Sequence, residues 1–141
     1  MVVSVFPSYL LQQSALDAFA AALDKLRVFA PQVDSDGFCR LLPVCSPPLT
    51  GPALPTFIPL KKLLLPPREK IWSFQAGQFS AVEEPEPFAI VGVPLCDLQA
   101  LWYLDQVFSD DTPYQKRRAQ VLLVGMPCEA GSECHCDRQL M

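Results

Sequence analysis

The stretch FAIVGVPLCDLQALWYLDQVFSDDTPYQKRRAQVLLVGM, residues 88–126, decides the fold class. It begins with the unbroken apolar run FAIVGV (88–93) and ends with another, VLLVGM (121–126). Continuous short apolar runs are what strands buried on both faces require. After Pro94 the period changes. Leu98, Leu101, Trp102, Leu104, Val107 and Phe108 recur at helical spacing and predict a helix with one broad apolar face. SDDTPYQKRRAQ then reads as a polar connection with room for a helical turn. Strand, helix, strand over this length is a βαβ unit, whose two strands are parallel neighbours joined by a right-handed crossover. The expected fold class is therefore α/β: a small domain built on this unit, with a proline-rich, irregular first half.

That topology has a chemical consequence. Parallel sheets place ligand sites off the C-terminal ends of their strands. The first apolar run ends just before Cys96 and the second just before Cys128, so both cysteines are expected at one edge of the sheet. GMPCEAGSECHC, residues 125–136, adds Cys134, Cys136 and the sole histidine, His135. The candidate metal ligands are Cys96, Cys128, Cys134 and Cys136. By count, four thiolates suit tetrahedral zinc and a [4Fe–4S] cluster equally. The spacing matches neither the paired Cys-x-x-Cys knuckles of zinc sites nor the ferredoxin run. Cys96 stands at a helix N-terminus, where backbone N–H groups and the positive dipole end are expected to lower a thiol pKa. In an extended loop His135 faces away from the side shared by Cys134 and Cys136, so it is read as a non-ligand. Cys39 and Cys45 are expected to be simply buried.

Outward from this unit the chain is less regular. SALDAFAAALDKLRV (14–28) predicts an amphipathic helix: Leu16, Phe19, Ala20, Leu23 and Leu26 recur at its spacing, with Ser14 as cap. Asp36-Gly37 marks a turn into a strand over FCRLLPV, and CSPPLTGPALPTFIP (45–59) should be irregular. Residues 61–65 suggest a short helix stopped by Pro66-Pro67, KIWSFQAG a short strand, and EEPEP an exposed turn.

The bulk properties fit one domain, residues 1–141, with a real core: half of the residues are apolar and 18% are charged. A net charge of −4 without a basic run argues against nucleic acid or anionic membrane as partner. No uncharged apolar run is long enough to span a bilayer. The start, MVVSVFPSYLLQQS, has neither a basic n-region nor a small-residue cleavage site, so a reducing cytoplasmic location is expected. There, clustered cysteines serve as metal ligands or redox groups more often than as disulfides. Lys116-Arg117-Arg118 reads as solvated surface. Neither a glycine-rich phosphate loop nor a Ser/His/Asp set is present, so no catalytic residue is assigned.

Several short motifs occur in order: Leu-Cys-Asp-Leu at 95–98, Leu-Asp-Gln-Val-Phe at 104–108, Tyr114 followed by Arg117-Arg118, an apolar strand, then Gly-Met-Pro-Cys and Cys-His-Cys. Together with LKKLLLPPREKIWSF (60–74) they resemble the first domain of a group of electron-transfer subunits. These are the beta subunits of cytoplasmic sulfhydrogenases and the A subunits of anaerobic sulfite reductases. The resemblance implies an iron–sulfur protein passing electrons between a flavin subunit and a catalytic subunit. It favours Cys96, Cys128, Cys134 and Cys136 as ligands of a [4Fe–4S] cluster, with zinc as the alternative. The sequence departs from the pattern at Leu95, where the group has proline, and at His135, where it has phenylalanine. The group's ferredoxin-like module with two further clusters is absent from these residues, which leaves a shortened family domain. Apolar surface normally covered by the missing portion is then expected to meet a partner subunit or a second copy of the chain.

Overall fold

A computed structural model describes residues 9–70, 72–81 and 86–129. In chain order the elements are α1 (Leu16–Leu23), β1 (Arg27–Val33), β2 (Cys39–Val44), β3 (Trp72–Gln75), β4 (Gln78–Ala81), β5 (Phe88–Val93), α2 (Leu95–Val107), α3 (Thr112–Ala119) and β6 (Val121–Gly125). Short 3-10 turns at Gln13–Ala15 and Leu60–Leu63 complete the set. The main sheet has the order β2-β1-β5-β6, and β3 with β4 forms a separate hairpin.

The βαβ unit forms as its sequence requires. β5 and β6 are parallel neighbours, paired from Phe88↔Val121 to Val93↔Gly125. Ala89, Ile90 and Val91 are inaccessible to water. The two faces of β5 feed two cores. Ala89 and Val91 pack with Leu23 and Val28 beneath α1. Ile90 joins Leu41, Leu60, Leu64, Leu101, Tyr114 and Val121 on the side of α2 and α3. Val93 belongs with Ile90 although three residues separate them. The extra residue is Gly92, which sits at a register shift with φ +78. A bulge of this kind inserts one residue and restarts the alternation of faces. Gly92 also lies against the ring of Pro31, where an added Cβ would stand 3.2 Å from the proline Cδ. Pairing of β1 with β5 runs from Arg27↔Phe88 to Phe29↔Ile90. Two residues further on, Pro31 has no N–H with which to extend a ladder.

Four details differ from the sequence-based expectations. The first helix stops at Leu23, and Arg27 and Val28 already belong to β1. Val28 and Ala30 are buried while Arg27 is exposed, an alternation of period two that RVFAPQV also satisfies. β1 then returns through the Asp34–Gly37 turn into β2, antiparallel, from Val33↔Cys39 to Val28↔Val44. The Asp34 carboxylate accepts from the N–H groups of Asp36 and Phe38 and pairs with Arg40, which fixes the turn. Residues 61–65 hold a 3-10 turn instead of an α-helix. On α2, Leu101 is buried and Leu98 and Leu104 are half-buried, but Trp102 and Val107 are 60% and 56% exposed, so the apolar face is narrower than the spacing suggests.

The fourth difference concerns the polar connection. Thr112–Ala119 is a helix in its own right. The Asp111 carboxylate caps it by accepting from the Tyr114 N–H at 2.7 Å, Pro113 occupies its first turn, and Lys116, Arg117 and Arg118 lie in its last turn, where cations suit the helix dipole. The basic run is thus not simply solvated. Arg118 is buried and forks onto Asp105 of α2, Nε lying 3.0 and 3.2 Å from its two carboxylate oxygens. The Tyr114 hydroxyl donates to the same carboxylate at 2.6 Å. Arg117 donates to the Leu64 carbonyl and pairs with Glu69, which ties α3 to the 3-10 turn and the segment after it. Only Lys116 of the three is an exposed residue.

Two predictions follow from the Asp105 cluster. Asp105→Ala should lower stability by about 3 kcal/mol in urea unfolding, the scale for breaking a buried charge pair by removing one partner. Burial, and then the bond and charge of Asp105, push the Tyr114 phenol well above its ordinary value of 10.0. The neutral phenol is therefore the form the fold favours. Its contribution is complete below that ordinary value and is lost as the pH rises past it towards the folded-state value. The urea midpoint should fall in this alkaline window, and fall less steeply in Tyr114→Phe.

Candidate metal site

The C-terminal edge of the sheet gathers the relevant thiols. β5 ends at Val93, Pro94 turns the chain, and α2 begins at Leu95, which puts Cys96 in the helix's first turn. β6 ends at Gly125, and the Met126 N–H donates to the Val93 carbonyl at 2.9 Å, carrying the pairing one step beyond the strand. Cys128 follows two residues later. Gly125 leaves room for what lies above it: an added Cβ would come within 2.6 Å of Leu98 Cδ1, and the leucine tip would have to move aside. The missing side chain lets the first turns of α2 settle onto the end of β6. Cys96 and Cys128 are thereby close enough for the charge of Cys128 to act on Cys96. The parallel pairing expected of the βαβ unit is present, and both cysteines follow strand ends on the same edge.

The electrostatics of Cys96 differ from the expectation. Its thiol pKa is raised, not lowered. Partial burial is the largest cause, followed by the charge of Asp97. Backbone N–H groups of Asp97 and of Cys96 itself act in the opposite direction, favouring the thiolate, and Cys128 adds a further upward push. A helix N-terminus does offer N–H groups to this sulfur, but burial and then an acidic neighbour outweigh them. Asp97 is raised as well, by burial. Such an environment disfavours an isolated thiolate and would reward a cation bound between the sulfurs, since thiols surrender their protons on binding metal.

Cys134, Cys136 and His135 lie outside the described residues. Among the described residues no group of three or more His, Cys, Asp or Glu side chains gathers as a metal site. Cys134 follows Cys128 by six residues in the sequence, a chain length that reaches up to ~20 Å, so both remaining cysteines are within tether of the same edge. The donor set present, two cysteines delivered by two strand ends with peptide N–H groups beside one of them, suits a thiophilic metal or an iron–sulfur cluster.

Cys39 and Cys45 are not simply buried. Cys39 is half-buried and Cys45 exposed. β2 runs antiparallel to β1, so Cys39, opposite Val33, starts at the same edge as Cys96 and Cys128, whereas Cys45 leaves at the other end. The Cys39 thiol is also raised, first by burial and then by Asp34. Reading β1 as helix hid this placement, because without β1 the direction of β2 relative to β5 is undetermined.

Comparison with known proteins agrees with the resemblance. The chain is 30% identical over 84 residues to sulfhydrogenase 2 subunit beta of Pyrococcus furiosus. The match spans 57% of this chain and 25% of that protein, so the chain covers about a quarter of its relative's length. A relation to the sulfhydrogenase beta subunits is supported. No family model matches the chain, and no solved structure matches it.

Asp97→Asn should lower the apparent pKa of Cys96, because it removes a negative charge that opposes the thiolate and leaves the backbone N–H in place. Titration of thiolate ultraviolet absorbance, in a chain where Cys96 is the sole remaining cysteine, measures the shift. Substitution of the others also removes the push from Cys128, so Cys96 with Asp97 intact is the reference.

Proposed function

We propose that the chain is an electron-transfer module of a multi-subunit oxidoreductase of the sulfhydrogenase or sulfite-reductase kind, holding one [4Fe–4S] cluster through Cys96, Cys128, Cys134 and Cys136. The observation that carries this reading is the placement of Cys96 and Cys128 just beyond the C-terminal ends of two neighbouring parallel strands, β5 and β6. Similarity to a hydrogenase beta subunit gives the placement its context. A bound cluster would supply reversible one-electron exchange.

The roles of the chain itself follow from its geometry. The rigid ends of β5 and β6 hold Cys96 and Cys128, so the two sulfurs need little reorganisation to bind. The N–H groups of Cys96 and Asp97 favour negative charge on the Cys96 sulfur. Through that preference they would tune a reduction potential, in concert with burial. Leu98 on Gly125 fixes the helix start that aims Cys96. No bond-making chemistry is assigned to the chain. Its partners on this reading are a flavin subunit and a catalytic subunit, and its location is cytoplasmic.

Anaerobic expression with iron should yield brown protein containing iron and acid-labile sulfide, with an electron paramagnetic resonance signal on one-electron reduction. Cys96→Ser and Cys128→Ser should each lose most of the iron while keeping the wild-type far-ultraviolet circular dichroism. Colourless protein with one zinc per chain would replace the electron-transfer reading with a structural zinc module. Full iron content in Cys96→Ser would remove Cys96 from the ligand set.

A further inference from the structure

The segment between β2 and the Leu60–Leu63 turn passes from one face of the sheet to the other. Leu49 packs in the core beneath α1, whereas Leu60 and Leu64 belong to the core under α2 and α3. The chain must round an edge of the sheet between them, and two backbone bonds identify which. The Ala53 N–H donates to the Pro127 carbonyl at 2.7 Å, immediately before Cys128. The Phe57 N–H donates to the Cys39 carbonyl, also at 2.7 Å. The segment therefore crosses the C-terminal edge, from the exit of β6 at one side of the sheet to the start of β2 at the other. Three strand spacings separate these points, ~14 Å. Four residues in extended conformation reach ~13 Å. Residues 53–57 therefore have little slack between their two anchors, one of which, Pro127, precedes Cys128. Pro52 and Pro55 stiffen the crossing. Ala53 is buried against the edge, while Leu54 and Phe57 face outward, 45% and 65% exposed.

We propose that residues 53–57 form a taut strap whose Ala53 N–H, bonded to the Pro127 carbonyl, fixes the half-buried Cys128 at the C-terminal edge of the sheet, while Cys96 stays exposed. Ala53 is a positioning residue on this account: it acts on Cys128 through the carbonyl of Pro127. The role assigned to the strap at a cluster rests on the proposed function, but its grip on Cys128 does not.

The test uses the full chain, reduced and freed of metal, with alkylation of each cysteine by iodoacetamide followed by peptide mass spectrometry. Two glycines inserted between Leu54 and Pro55 slacken the strap. The same two glycines inserted between Ser46 and Pro47 lengthen the connection outside it and control for general loosening. Pro55→Gly is a milder variant should the first insertion fail to fold. The expected result is a rise of about five-fold in alkylation of Cys128, the scale of losing one net hydrogen bond. Cys96, already exposed, should keep its rate. Cys45, at the opposite end of β2, should keep its rate, and the outer insertion should change none of the three. Unchanged alkylation of Cys128 in both Pro55→Gly and the inner insertion overturns the strap, as does an equal rise with the outer insertion. Iron content of the unaltered chain is read separately. Iron without an alkylation response sinks the strap and leaves the function standing; a response without iron does the reverse.

Discussion

One glycine sets the geometry on which the site depends. Gly92 takes φ +78 inside the β5–β6 ladder, a conformation side chains rarely adopt, and it sits where a Cβ would crowd Pro31. Its bulge lets Val93 face the same core as Ile90 and presents the Val93 carbonyl to the Met126 N–H. The strand then ends with a fixed heading, Pro94 turns it, and α2 starts above Gly125. Without the bulge Val93 would point to the α1 side, and the helix that carries Cys96 would leave from a different face. Two glycines and two prolines thus place a pair of thiols that come from loops 32 residues apart in number (96 to 128).

Legibility of the sequence followed the strength of its periodicity. FAIVGV and VLLVGM read as strands and the spacing between them as a crossover, so the parallel pair could be read directly; only β5 is buried as both runs suggested, because β6 lies at the sheet edge with Leu122 exposed. Residues 24–33 could not be read in this way. Leu26 continues the helical spacing of Leu16, Phe19 and Leu23, while Val28 and Ala30 alternate as a strand, and only pairing with β2 and β5 decides where the helix ends. Tertiary context likewise made a helix of the polar residues 112–119. Its capping signals, Asp111 and Pro113, stand in the sequence, but its hold on the fold comes from Asp105 on another helix. The raised thiol of Cys96 comes first from burial, which the sequence does not show, and then from the adjacent Asp97, which it does.

The Asp105 cluster also explains how a thin crossover stays in place. α2 has a narrow apolar face, with Trp102 and Tyr103 left to solvent. Hydrophobic burial alone therefore anchors it weakly. A carboxylate shared by Tyr114 and Arg118 joins α2 to α3, and Arg117 joins α3 to Leu64 and Glu69. Polar groups with satisfied partners fix orientation where apolar contact is sparse. Leu101 and Tyr114, both inaccessible to water, supply the packing beneath.

The two ends of the sheet are consequently unlike. At the N-terminal end a cavity of about 270 Å³ is lined by Arg27, Phe29, Leu63, Glu86, Phe88 and Arg117, among others. Its two guanidinium groups invite an anion, but Glu86 lines the same space, and Arg117 is already engaged by Glu69 and the Leu64 carbonyl. Charge there is balanced within the protein. At the C-terminal end the balance is not met in the same way. Burial, and then the charge of Asp97, push the Cys96 thiol up, and the charge of Cys128 adds to that push. A bound cation or cluster would relieve that repulsion, whereas an anion would add to it. A metal bound at this edge would have to displace the Cys96 proton that burial and Asp97 favour.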